Sequence, residues 1–254
     1  MDLPQSLRVP PGCPLGAQPL AYRGDRVGVL VLHGFTGSPW EVRPLADDAV
    51  ALGHSVAVPV LAGHATALAA LNETTWQDWL HSAEAAHTWL ATRCDRVHVI
   101  GLSMGALLAL LIALRQPPAL RGRLVLLAPA LVLAPWQRRA IVALGRLGWP
   151  TVLGKDAPQL ANHAQPPCYS GIPLRATQSL LALQELVARV AQPLPALVLH
   201  GAADQTIPCE PACSRARALL GPAARIEVIP GAGHLLPRTE AANEVAQRVR
   251  AWLA

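Results

Sequence analysis

A chain of 254 residues that is 52% hydrophobic and only 15% charged can bury one substantial core, which excludes a disordered protein and fits a single α/β domain with an insertion. The formal charge of +5 is almost wholly arginine, Lys155 being the only lysine. The arginines are scattered, with no basic stripe or interleaved aromatics, which excludes a nucleic-acid partner.

The longest apolar run, Leu102 to Leu114, is shorter than a bilayer span and reads as a buried helix, so no integral membrane segment is expected. The N-terminus has Asp2 and several prolines but no basic-then-apolar leader pattern, which points to the cytoplasm. Five cysteines, an odd number without metal-finger spacing, read as free thiols. Cys209 and Cys213 have the i, i+4 spacing of a shared helix face, with no histidine pair to complete a metal site.

In chain order, Asp2 to Gln18 is proline-rich and irregular, and predicts a surface arm or short edge hairpin. Val27 to Leu32 is a continuous apolar run, as expected of a strand buried on both faces. It empties into His33-Gly34-Phe35-Thr36-Gly37. Ser38, Pro39 and Glu41 then have the spacing of a helix N-cap, first helical residue and capping-box partner. Leu45, Ala49 and Leu52 supply the helix face, and Gly53 ends it.

Ser55 to Val60 predicts the next strand, followed by a loop through Gly63, His64 and Ala65. A helix from Thr74/Thr75 places Trp76, Leu80, Ala83, His87 and Leu90 on one side. The alternating β-branched residues from Arg96 to Ile100 predict a strand. It passes through Gly101-Leu102-Ser103-Met104-Gly105 into a Leu/Ala helix that stops at Gln116-Pro117-Pro118. Leu124 to Leu127 is another buried strand. Ala130 to Pro173, with six prolines and Trp136 and Trp149, carries amphipathic pieces and no predicted strand. A helix over Leu174–Ala191 follows, with Leu180, Leu183, Val187 and Val190 on one side. Strands at Ala196–His200 and Arg225–Ile229 end in Asp204 and His234, and a helix over Glu240–Leu253 buries Val245, Val249 and Trp252.

This alternation implies a mostly parallel sheet with helices on both faces. Ser103, Asp204, His234 and the His33–Phe35 loop all follow strand ends, where sites on such sheets gather. A strand-to-helix turn at Gly-x-Ser-x-Gly leaves Ser103 on a strained turn beneath a helix N-terminus, with Gly101 and Gly105 removing Cβ atoms where the elements crowd. Serine needs a base, histidine is that base near neutral pH, and a carboxylate fixes its tautomer. The expected roles are Ser103 as nucleophile, His234 as base and Asp204 as acid, with Asp156 the weaker rival to Asp204. The oxyanion donors are the backbone N–H groups of Phe35 and Met104. His33, preceding Gly34, is expected to brace the oxyanion loop.

These motifs resemble the α/β-hydrolase superfamily, and within it the small bacterial carboxylesterases and monoacylglycerol lipases. The matching residues are His33-Gly34-Phe35-Thr36-Gly37-Ser38-Pro39, Gly63-His64, Gly101 to Gly105, Asp204 with Ile207-Pro208, and Gly231 to His234. The likeness runs from about Val27 to the C-terminus. It implies an α/β-hydrolase fold whose core occupies 1–129 and 174–254, with a small helical cap at 130–173 over an acyl pocket. It further implies hydrolysis of a small-molecule ester through an acyl-enzyme, with no metal and no cofactor. Ala65 and Ala106 depart from the glycines usual in that family. Phe35, His64, Trp136 and Trp149 are candidate pocket residues, with His64 equally read as loop scaffold, and a monomer or homodimer is expected. A thioesterase or acyltransferase with the same triad is the alternative, and a noncatalytic binding module of this fold the third reading.

Overall fold

The computed structural model describes residues 2–118, 121–133, 135–146, 153–154 and 167–254, and their side chains except at 135–137, 145–146 and 153–154. Three strands come first: β1 (Leu20–Tyr22), β2 (Val27–Leu32) and, after helix α1 (Arg43–Ala51), β3 (Ser55–Val58). Helices α2 (Leu68–Asn72) and α3 (Trp76–Ala91) lead to β4 (Arg96–Leu102), α4 (Met104–Arg115) and β5 (Arg121–Leu127). Helix α5 (Pro135–Arg146) and the short strands β6 (Leu153–Gly154) and β7 (Gly171–Ile172) precede α6 (Leu174–Val190). The chain closes with β8 (Ala196–Gly201), α7 (Cys209–Leu220), β9 (Ala224–Ile229) and α8 (Ala242–Leu253).

Seven strands form one sheet in the order β1-β3-β2-β4-β5-β8-β9, parallel throughout except β1, which runs antiparallel to β3. Successive side chains of a strand point to opposite faces, so each apolar strand feeds two cores. Leu30, Leu32, Val97, Val99, Leu124, Leu126 and Val198 join the core beneath α3, α4 and α6. Val29, Val31, Ile100, Leu102, Val125, Leu127 and Leu199 join the core beneath α1 and α8. Burial on both faces is why these strands read as unbroken Val/Leu/Ile runs. Helix α4 lacks a polar face for the same reason: Met104 to Ala113 are all buried.

Several expectations need correction. The arm is not merely superficial, since Leu7 and Ala17 are buried and the Val60 N–H donates to the Ser6 carbonyl at 2.9 Å. Leu52 lies past the end of α1 and is 52% exposed, because Gly53 (φ +84°) turns the chain away there. On α3 the buried stripe is Trp79, Leu80, Ala83, Ala86, Trp89 and Leu90. Trp76 and His87 are only half-buried, the helix turning Trp79 and Trp89 inward instead. Val190, in the last turn of α6, faces solvent, and Trp252 is only partly covered. The segment read without strands contains the β6–β7 pair. Helix α7 escaped the reading because its buried face is the modest set Ala212, Cys213, Ala216 and Leu220, behind two prolines. Among the described residues, no helix is long and apolar enough to cross a membrane.

Candidate active site

Ser103 occupies the single residue between β4 and α4 with φ +56° and ψ −113°, a conformation that L side chains avoid and that surrounding contacts must enforce. Two glycines permit it. A Cβ on Gly101 would run into the Gly105 carbonyl, and one on Gly105 into the carbonyls of Leu32 and His33. The sheet then holds the turn: the Ser103 N–H donates to Leu127 O at 2.8 Å, and Ser103 O accepts from Ala106 N (3.1 Å) and Ala130 N (3.2 Å). Within a planar peptide the N–H lies opposite the C=O. Tying down the Ser103 carbonyl therefore aims the Met104 N–H, the first amide of α4 and one of those a helix start leaves without an intrahelical partner.

Asp204 and His234 lie beyond the ends of β8 and β9. His234 Nδ1 donates to Asp204 Oδ2 at 2.7 Å, while Asp204 Oδ1 accepts from the N–H groups of Thr206 (2.8 Å) and Ile207 (2.9 Å). A carboxylate only accepts, so Nδ1 carries the proton and Nε2 of the neutral ring keeps its lone pair. Burial pushes the Asp204 carboxyl up. The hydrogen bond and charge of His234, with the amides of Ile207 and Thr206, outweigh this and hold it below its ordinary value.

The local chain explains the approach. A Cβ on Gly201 would strike the Ala232 carbonyl, so this glycine lets the turn before His234 press against the end of β8. The Ala203 N–H donating to Ala232 O at 2.9 Å straps it there. Sequence reasoning missed Gly201; its signal is a glycine at a strand end directly before the Asp204 turn. His200 is fully buried beside the pair, its Nδ1 3.7 Å from Asp204 Oδ2. Burial lowers its pKa, against the opposing pull of the Asp204 charge.

The loop after β2 is held by side chains rather than by the sheet. The Leu61 N–H donates to His33 Nε2 at 3.2 Å, so Nε2 is the acceptor and Nδ1–H donates to Gly34 O at 2.9 Å. Burial drives the His33 pKa down to about 4 against the raising effect of that carbonyl, so the ring is neutral near pH 7. The Gly34 carbonyl and the Phe35 N–H share one peptide plane, so His33 also sets the direction of the Phe35 N–H.

Beneath the loop, Glu41 Oε2 accepts the Gly34 N–H at 2.9 Å. Its carboxylate, 3% exposed by residue, fills the space a Cβ on Gly37 would need. The expected capping box is therefore absent. Residues Pro39–Val42 form a 3-10 turn, the Ser38 hydroxyl makes no cap bond, and Glu41 reaches back to Gly34 instead. A Cβ on Gly34 would come within 3.4 Å of Ser103 Cβ, so loop and serine turn are in close contact.

Phe35 is half-buried, its ring centroid 5.5 Å from Trp79 and 6.3 Å from His64. His64 is fully buried, edge-on to His33 at 4.9 Å, with Nδ1 3.0 Å from Ala62 O. Trp79 and Tyr169, both beside this loop, were missed; each shows itself only through contacts with distant segments. Trp136 lies on α5, with its side chain outside the description, and Trp149 and Asp156 fall outside the described residues. Among the described residues, no group of three or more His, Cys, Asp or Glu could hold a metal ion.

Three comparisons bear on this arrangement. A model of the alpha/beta hydrolase family matches residues 29–248. A thermostable monoacylglycerol lipase of Bacillus sp. (strain H-257) is 43% identical over 102 residues, 40% of this chain and 41% of that protein. A carboxylesterase of Bacillus subtilis (strain 168) is 27% identical over 113 residues, 44% of this chain and 45% of that one. The matched stretches thus span less than half the length of these curated relatives. A solved structure from the metagenome-derived lipolytic enzymes LipS and LipT is similar at a TM-score of 0.83 and 29% identity, covering 96% of this chain and 98% of that one.

Proposed function

Because the chain belongs to the alpha/beta hydrolase family, we propose that it is a serine carboxylesterase acting on short- to medium-chain esters or monoacylglycerols. The observation that carries this reading is the part-buried Asp204–His234 pair at 2.7 Å, on the same sheet edge as the strained turn of Ser103. The relatives named as lipases and carboxylesterase support the substrate class.

In this mechanism His234 Nε2 takes the Ser103 proton as Oγ attacks the ester carbonyl. The Phe35 and Met104 N–H groups receive the oxyanion. His234 then gives the proton to the departing alcohol, and water, deprotonated by the same ring, releases the carboxylic acid from the acyl-serine. Asp204 holds the tautomer and stabilises the imidazolium without taking the proton. The cap expected at 130–173 belongs to this reading, and its residues 147–152 and 155–166 lie outside the described residues.

Turnover of p-nitrophenyl esters across acyl lengths tests the reading. Ser103→Ala is expected to lower kcat by a factor on the order of 10⁶, and to abolish labelling by a fluorophosphonate. Asp204→Asn is expected to lower kcat by about 10⁴ by stabilising the wrong tautomer. Full activity in the Ser103→Ala variant would remove the serine mechanism.

A further inference from the structure

Four non-glycine residues among those described have positive φ: Thr36 (+61°), Ala65 (+52°), Ser103 (+56°) and Ala128 (+41°). Ser103 and Ala128 are tied to the sheet through their own N–H groups, to Leu127 O and Leu199 O. Thr36 and Ala65 lie in the loops after β2 and β3. The peptide that follows each of them is held by one residue more than a hundred positions from either.

The Tyr169 N–H donates to Thr36 O at 3.0 Å. The Tyr169 hydroxyl accepts the Thr66 N–H at 2.9 Å and donates its proton to Gly63 O at 2.8 Å. Thr36 O belongs to the peptide after Thr36, and the Thr66 N–H to the peptide after Ala65. Tyr169 therefore fixes the peptide plane beyond each strained residue. Threonine, β-branched, is especially disfavoured in the left-handed region, so such a conformation persists only where its surroundings over-determine it. The loop at Thr36 is the one that presents the Phe35 N–H.

We propose that Tyr169 is a positioning residue. It staples the loop after β2 to the loop after β3 and holds the Phe35–Thr36 segment ready for the oxyanion before substrate arrives. This rests on the oxyanion assignment above. In this chain it also accounts for an alanine at position 65, where a glycine would hold positive φ without help.

The test is Tyr169→Phe, which removes the hydroxyl's bonds to Gly63 and Thr66 and leaves the ring and the backbone N–H on Thr36 O. The expected result is a kcat about tenfold lower with KM within about twofold, since a displaced donor weakens the transition state more than substrate binding. Affinity for an alkyl boronic acid, which forms a tetrahedral adduct, should fall in the same proportion. In a Thr36→Gly background the same change should cost about twofold or less, because glycine keeps positive φ without the staple. The loss of Tm caused by Tyr169→Phe should likewise be smaller in an Ala65→Gly background.

Equal kcat and boronate affinity in Tyr169→Phe and the parent would overturn the proposal. So would an undiminished loss in both glycine backgrounds. Fluorophosphonate labelling separates the two levels: if the parent is not labelled at Ser103, it is the serine-esterase reading that fails, whereas labelling with an unaffected Tyr169→Phe sinks only the staple.

Discussion

The serine turn and the loop after β2 touch each other, yet they are held in opposite ways. Ser103 is strained, but its amide and carbonyl are bound by backbone groups at Leu127, Ala106 and Ala130, and glycines at 101 and 105 make room. The loop from His33 to Gly37 is instead held by isolated polar groups: the His33 ring bridging to Leu61, the Glu41 carboxylate on the Gly34 N–H, and the backbone N–H of Tyr169 at Thr36 O. A turn built into a sheet inherits the sheet's rigidity. A loop beyond it is only as rigid as the polar groups packed around it, and each of those is a separate point of failure.

The sharpest way to break the sheet-held half is Gly105→Ala. Its Cβ would meet backbone carbonyls of Leu32 and His33, which cannot yield as a flexible side chain can. A loss of at least ~4 kcal/mol, read as failure to fold or a collapsed urea midpoint, is expected. Full stability would mean that the turn has slack.

The side-chain-held half is predicted to fail in acid. His33 titrates near 4 when folded, below its ordinary value of 6.5, so between those limits the unfolded chain binds the proton and the folded chain does not. Stability is therefore complete above about pH 6.5 and falls by up to ~3 kcal/mol as the pH approaches 4. His98 in β4, lowered to about 4 by burial and by the neighbouring Arg96, His54 and Arg123, adds a loss of the same sign. Urea denaturation at several pH values between 7 and 4.5 checks this. A flat profile would mean that these rings are protonated in the folded protein.

Glu41→Ala should cost about 2 kcal/mol, since a buried N–H on Gly34 loses a carboxylate partner, and kcat should fall with it. Chemical denaturation and ester turnover on one variant make the comparison, and Glu41→Gln should recover part of both. The smallest effect expected is from Ala65→Gly. Relief of the positive φ exceeds the extra chain entropy of glycine by roughly 0.5 kcal/mol, a rise of one or two degrees in Tm. A fall instead would show that Ala65 sits there without strain.

Much of this architecture is legible in the chain. The runs at Val27–Leu32 and Leu124–Leu127 announce themselves because strands buried on both faces have no polar side to hide, and Arg96–Ile100 shows itself by its alternating β-branched residues. Asp204 and His234 follow strand ends, which brings them to one sheet edge. What escapes has no local signature. Glu41 has the spacing of a capping partner, and only the room beside Gly34 and Gly37 turns it into a loop clamp. Helix α7 has too small an apolar face to stand out.

The residue pattern by itself determined the parallel sheet, the strained serine turn and the loops that surround it. Burial periodicity and the absence of a Cβ act within a few residues, so they are written locally. Only the tertiary structure decided which nitrogen of His33 carries the proton, where the Glu41 carboxylate goes, how closely His234 approaches Asp204, and that Tyr169 joins two loops more than a hundred residues away. A hydrogen bond depends on position to within a few tenths of an ångström, and for groups that far apart in the chain such a position exists only once the whole chain has packed.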